Sequence, residues 1–372
     1  MPAHRLIHNT MRRPDDLLGG PIRQTRAEID LGVLVRNLAD VKGLVGDDVG
    51  VLAVIKADGY GHGAIPIARA LEHAGVLALA VSLAEEGIEL RRAAIGGQIL
   101  VMGGVYGSAH KELLSFGLTP VVSERADVVA FARAARALGI RAPIHVKIDT
   151  GMARLGLRPR YVGAFLDEVA AHPELELAGV CTHIASADVD PHATAEQLRR
   201  FDVARRAFPS GILVHAANSA ATERFPAAHY DAVRPGLLLY RNAMRFVTAI
   251  SQIREVDAGD AVSYGGLWRA PSRRRIATLP VGYADGYPRR LTGSAEVLVR
   301  GRRVPVVGAV CMDMAMIDVT DVPDVSLGDE VVLLGEQGSE RITARELADR
   351  AGLIEYEITC GISKRVPRVY TP

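Results

Sequence analysis

The sequence predicts an α/β protein: a closed (β/α)₈ barrel followed by a smaller, mainly-β domain. Three observations predict it. From about residue 25 to 240, eight short apolar runs alternate with longer segments at helical spacing. No dinucleotide fingerprint follows the first run, as an open doubly wound sheet would usually carry. After about residue 245 the helical segments thin out, and strand-like runs with turn signals take over.

The eight runs are, in order, "VGVLAVIK", "VLALAVSL", "QILVMGG", "LTPVVS", "APIHVKID", "LAGVCTHIA", "GILVHAANS" and "DAVRPGLLLY". Near-continuous apolar runs are expected where a parallel strand is buried on both faces. Between them, "ADVVAFARAARALG" and "ATAEQLRRFDVARRAF" place apolar residues at helical spacing. Unbroken alternation favours a closed barrel over the open sheet, which stays the alternative. "GYGHG" is glycine-rich, but its spacing does not match a dinucleotide loop. Past the barrel, "AVSYGGLWRA", "RRIATLPVGYAD", "AEVLVRGRRVPVVGAVCMDMAMIDVTD" and "GDEVVLLGE" read as strands, and "ITARELADRAG" as a short helix. The expected division is a loose N-terminal extension over 1–24, the barrel over 25–245 and the mainly-β domain over 246–372.

Length and charge narrow the function. A chain of 372 residues suits two domains. With 44 basic and 43 acidic residues it lacks the basic excess of a nucleic-acid binder. Cys181, Cys311 and Cys360 are far apart and show no metal-ligand spacing, so no metal is expected and a reducing cytoplasm is the expected compartment. No apolar stretch is long enough to span a bilayer. The first residues lack the apolar core of a signal peptide, and Asp15 and Asp16 argue against a transit peptide.

In such a barrel the chemistry gathers at the C-terminal ends of the strands. Those ends read Lys56, Ser82, Gly103, Ser123, Lys147, His183, Ser219 and Arg234. An ammonium at the end of a buried strand is costly unless it is used or paired. Lysine forms Schiff bases, and its pKa falls readily on burial. The glycines of "ADGYGHG" let backbone approach a ligand, and Tyr60 adds a hydroxyl. "HAANSAATE" ends its strand at Asn218 and Ser219 and enters a helix, a natural phosphate site. "VRPGLLLY" adds Arg234 and, at Gly236, an amide able to face the same anion. Barrel phosphate sites are often built after the seventh and eighth strands, which these are. A Schiff-base lysine on the first strand with a phosphate cradle on the last two describes a pyridoxal 5'-phosphate site.

These residues carry a resemblance. "AEIDLGVLVRN", "AVIKADGYGHG", "KIDTGMARLG", "CTHIASAD", "HAANSAA", "VRPGLLLY", "VSYGG", "PVGYADGYPR", "CMDM" and "RVPRVY" are similar to the motifs of the bacterial alanine racemases, from about Arg26 onward. The resemblance implies a pyridoxal-phosphate enzyme that interconverts L- and D-alanine, supplies D-alanine for peptidoglycan and shares its active sites across a head-to-tail homodimer. It implies that Lys56 carries the cofactor as an imine. Tyr60, Asn218, Ser219 and the backbone of Gly236 and Leu237 would bind the cofactor, with Arg234 facing the pyridine nitrogen. Arginine stays protonated, so that nitrogen would receive a hydrogen bond and no proton. Racemisation needs a base on each face of the substrate. The resemblance assigns these to Lys56 and to Tyr264 from the second subunit, with His183 as helper. Arg154 would grip the substrate carboxylate. Met312 and Tyr283 would line the pocket, and Lys147 matches a lysine often carbamylated in the family. Asp313 matches a motif without an assigned role.

One position departs from the pattern. Lys364 stands where a tyrosine often touches the phosphate and walls the substrate, so a phosphate contact there and the breadth of substrate are open. A broader-specificity or serine-preferring racemase is the nearest alternative. A decarboxylase of the same fold would lack "VSYGG" in this role. A non-catalytic pyridoxal-phosphate carrier would end after the barrel.

Overall fold

The computed structural model describes residues 22–372. The first strand, β1 (Arg26–Asp30), precedes the barrel. Asp30 ends it and caps the helix Leu31–Val45, its carboxylate accepting from the Val33 amide at 2.7 Å. Leu34, Leu38 and Val41 form the buried stripe of that helix, at the spacing of one helical face.

Eight parallel strands close the barrel: β2 (Gly50–Val54), β3 (Ala78–Val81), β4 (Ile99–Val101), β5 (Thr119–Val122), β6 (Ala142–Lys147), β7 (Leu175–Cys181), β8 (Leu213–His215) and β9 (Ala232–Val233). They are the eight apolar runs of the sequence. Closure is made by β2 against β9, with Gly50 opposite Ala232 and Val51 opposite Val233. Leu52, Ala53, Ala80, Ile99, Val146 and Val233 are fully buried, as expected for strands covered on both faces. Burying one such Leu or Ile side chain stabilises by roughly 1.5–3 kcal/mol.

The expected boundary at 246 recurs in the contacts of the chain, and the last residues group with the barrel side of it. The described residues form two units: 246–341 with 22–26, and 27–245 with 342–372. The tail returns because Arg368–Thr371 pairs in parallel with β1, Ala27 opposite Arg368 and Asp30 opposite Thr371. Most of the expected loose extension lies outside the described residues. Its last part is held: Arg23 pairs with the buried Asp285 at 2.8 Å and donates to the Pro280 carbonyl.

The mainly-β unit has an antiparallel sheet of Gln252–Val256, Arg274–Leu279 and Ala315–Asp318. The strand Glu296–Val299 pairs antiparallel with Arg302–Pro305 and with Glu330–Gln337. Val262, Ile276 and Val307 pack together in its core. No helix among the described residues is long and apolar enough to cross a membrane.

Candidate active site

Lys56 follows β2 by two residues and is half-buried. Burial first, then the Arg154 guanidinium, holds its amine below the usual lysine range, while the Glu86 carboxylate opposes the shift. The next four residues, Ala57, Asp58, Gly59 and Tyr60, all have φ between 53 and 59°. They make one left-handed turn, closed by the Gly61 amide on the Ala57 carbonyl at 3.0 Å. Three of the four are not glycine, each at a cost of about 1–2 kcal/mol. The turn swings Tyr60 back against the barrel, its ring 4.9 Å from that of Tyr240 and 5.8 Å from that of Tyr356. Burial pushes its phenol well up, so Tyr60 stays a donor.

Ser219 opens the helix Ser219–Arg224. Its hydroxyl oxygen accepts from the Gly236 amide at 3.0 Å and the Leu238 amide at 3.3 Å. The Leu237 amide, expected at the cofactor, is not one of these two. A Cβ on Gly236 would lie 2.3 Å from the Tyr60 hydroxyl, so only glycine leaves the space there. Tyr60, Ser219 and Gly236 therefore meet. Asn218 is spent on structure: its Oδ1 accepts from Ala221 N and its Nδ2 donates to the Ile184 carbonyl. Its side chain thus serves as the cap of that helix.

Arg234, one residue past β9, is buried to 5% exposure. Nη1 meets His215 Nδ1 at 2.8 Å, and Nη2 donates to the carbonyls of Thr182 at 2.6 Å and Ala216 at 2.9 Å. His183 Nδ1 lies at 3.5 Å, the longest of these contacts. His215 reaches on to His145 Nδ1 at 2.8 Å inside the barrel. Gly179 makes room for that ring; a Cβ there would lie 2.5 Å from it. Burial, then Arg234, drives His215 and His183 well below the usual histidine range and His145 down to about 4.

Arg154 leaves the loop after β6. Asp149 Oδ1 accepts from the amides of Gly151, Met152 and Ala153, each at 3.0 Å, and folds that loop back on itself. Arg154 itself is exposed, and among the described residues it has no hydrogen-bond partner. Lys147 ends β6, half-buried, its amine lowered mainly by burial and further by Arg234 and Arg154.

Tyr264, Tyr283 and Met312 belong to the mainly-β unit and are 75, 41 and 52% exposed. Their loops are laced together. The Ser263 hydroxyl donates to the Ala309 carbonyl at 2.8 Å, and the Tyr283 amide to the Cys311 carbonyl at 3.0 Å. Lys364 is exposed and lines a cavity of about 430 Å³ with Asp58, Gly61, Cys360 and Arg368. Tyr60, Ser219 and Gly236 are not among the residues that line that cavity.

Family models for the alanine racemase N-terminal and C-terminal domains match residues 29–243 and 243–370. The chain belongs to the alanine racemase family. It is 43% identical to the alanine racemase of Halothermothrix orenii over 367 residues, covering 94% of this chain and 97% of that one. The structure of alanine racemase from Clostridium difficile 630 superposes with a TM-score of 0.89 at 35% identity, over 95% of this chain and 97% of that one. That of the Bacillus anthracis alanine racemase with bound L-Ala-P does so with a TM-score of 0.87 at 35% identity, over 95 and 96%.

Sequence reasoning on this family member missed His215, His145, Glu86 and Arg368. His215 stood in "HAANS", but a histidine inside a strand reads as core. Glu86 sits three residues after Leu83, the spacing of a helix-capping glutamate. Nothing local signals what Arg368 holds.

Proposed function

We propose that the protein interconverts L- and D-alanine with pyridoxal 5'-phosphate, as a cytoplasmic homodimer that supplies D-alanine to peptidoglycan. The observation that carries the reading is the meeting of Tyr60, beyond β2, with Ser219 and Gly236, beyond β8 and β9, at strand ends that also carry Lys56 and Arg234. These residues fit the cofactor. The Tyr60 and Ser219 hydroxyls converge beside Gly236, two donors for a phosphate, and the Gly236 and Leu238 amides hold the Ser219 oxygen in place. Lys56 is the lysine to hold the aldehyde carbon. When bound, the cofactor supplies the electron-withdrawing ring that makes the substrate α-proton removable.

The chain's own residues do the rest. Lys56, its amine lowered, takes and returns a proton on one face. Arg234 is fixed by His215 and two carbonyls, so it offers a hydrogen bond and gives up no proton. Arg154 presents an open fork of donors suited to the substrate carboxylate. Tyr264 serves the opposite face. Its exposure, on a unit other than the barrel, supports its use by a second copy of the chain, with Tyr283 and Met312 beside it.

α-Deuterium washout from L- and D-alanine, with product chirality followed, tests the reading. Washout with inversion from both isomers is expected. Carbon dioxide release without inversion would assign the decarboxylase instead, and no washout from either isomer would sink both. L-Serine run in parallel sets the breadth of substrate.

A further inference from the structure

The left-handed turn between Lys56 and Tyr60 has bonds of its own, Gly61 N to the Ala57 carbonyl and Ala64 N to Asp58 Oδ1, but its hand runs against its residues. L-residues favour the opposite hand, and Ala57, Asp58 and Tyr60 carry side chains. Two charged side chains grip the turn from its two ends. On the amide side, Glu86 Oε1 accepts from the Ala57 amide at 2.6 Å. Its Oε2 accepts from the Ser82 and Leu83 amides at 2.8 and 2.9 Å, which anchors the carboxylate to the end of β3. On the carbonyl side, Arg368 Nε donates to the Gly61 carbonyl at 3.1 Å. Its Nη atoms donate to the carbonyls of Ile362 at 2.6 Å and of Ser363 and Val366, each at 2.7 Å. Among the described residues neither side chain is in an ion pair, and their hydrogen-bond partners are main chain. The tail also presses against the turn. A Cβ on Gly61 would lie 2.1 Å from the Thr359 carbonyl oxygen, and one on Gly63 1.8 Å from the Tyr370 hydroxyl.

We propose that Glu86 and Arg368 are positioning residues: they hold this turn left-handed and so aim Lys56 and Tyr60 at the cofactor. This gives the tail motif "RVPR" a function and explains why 342–372 packs with the barrel unit. Glu86 has a second effect, as the one carboxylate among the groups that shift Lys56. The proposal rests on the pyridoxal-phosphate reading of Lys56, but its test does not.

The test uses the full-length protein, wild type and the variants Glu86→Gln and Arg368→Lys, both cofactor-free and loaded. Arg368→Lys keeps the charge and loses the fork that reaches four carbonyls. Hydrogen exchange by mass spectrometry should show the amides of 57–63 exchanging about tenfold faster in each variant, with β4–β6 unchanged. In the cofactor-free protein, the pH midpoint for acylation of Lys56 should move down in Glu86→Gln, because a negative charge is removed, and stay in place in Arg368→Lys. Loaded, both variants should release pyridoxal phosphate about tenfold more readily, which is about 1.4 kcal/mol. Unchanged exchange at 57–63, or equal acceleration there and in β4–β6, would overturn the proposal. Failure of wild type to bind pyridoxal phosphate would overturn the cofactor reading alone, since exchange and acylation are read without it.

Discussion

The Arg234 guanidinium donates to Nδ1 of His215 at 2.8 Å. A guanidinium has only donors, so Nδ1 of His215 is bare and its hydrogen sits on Nε2. That hydrogen points at Nδ1 of His145, 2.8 Å away, which is bare in turn. One arginine thus fixes the tautomer of two buried imidazoles and keeps both neutral. A proton on either would face the guanidinium without water to screen it.

Stability should therefore fall in mild acid. His145 and the separately buried His62 are each held at about 4, mainly by burial, against an unfolded value near 6.5. A depressed histidine contributes stability that is full above about pH 6.5 and is lost as pH falls towards 4. Each contributes a loss of roughly 2 kcal/mol between pH 7 and pH 5. Urea unfolding at the two pH values measures the loss, and in His62→Gln it should shrink by about one such share. An equal loss in wild type and variant would refute the assignment to His62.

Lys56 should be the residue that holds the cofactor. Borohydride reduction of the loaded protein, then peptide mapping, should put the label on Lys56. A label on another lysine, Lys147 included, would overturn the site. The amine is lowered by burial and Arg154, so it is uncharged, and captures the aldehyde, at lower pH than a free lysine does.

How much of this was legible in the sequence depended on range. The eight barrel strands were legible because burial on both faces leaves an apolar run that needs no partner to be seen. The strand-end residues Lys56, Lys147 and Arg234 followed from strand positions alone. The return of the tail was not legible. The pairing of Ala27 with Arg368 joins residues at opposite ends of the chain, and neither segment shows which strand it will meet. The hand of the turn at Ala57 and Asp58 was hidden for a related reason. Two of its bonds come from Glu86 and Arg368, which lie outside the segment. The capping role of Asn218 was not read, because a cap and a ligand call for the same residue type at the same place.

Tyr264→Phe should nearly abolish racemisation and leave cofactor binding intact. Residual α-proton exchange should favour the D-isomer, the one served by Lys56. Mixing inactive Lys56→Ala and Tyr264→Phe proteins under subunit exchange should restore activity, because a mixed dimer holds one intact site. Proven exchange without recovery would place both bases in one chain.

Lys364→Met should leave the dissociation constant of pyridoxal phosphate within about threefold of wild type, as expected for an exposed charge. Its cavity is shared with Asp58 and Arg368 and not with Ser219 or Gly236. A tenfold weaker constant that recovers in high salt would return Lys364 to the phosphate.

Lys147 should carry a carbamate. Its amine shares its surroundings with Arg154 and Arg234, and both lower it, as does burial. An ammonium there adds a third cation to two guanidiniums, and the loss of a proton relieves it. The free amine can then add to carbon dioxide, forming the N–C bond and releasing one proton as the carbamate anion appears. The product reverses the sign at that point and gives Arg154 a partner that its loop does not provide. Asp149, the nearest acid in sequence, already spends Oδ1 on three amides. Protein equilibrated with ¹³C-bicarbonate should show one carbamate carbon resonance, absent in Lys147→Met. In that variant the Arg154 fork loses its brace, so KM for alanine should rise about tenfold while pyridoxal phosphate stays bound. An unchanged KM, or a resonance that persists in Lys147→Met, would leave Lys147 an ordinary amine and Arg154 held by other means.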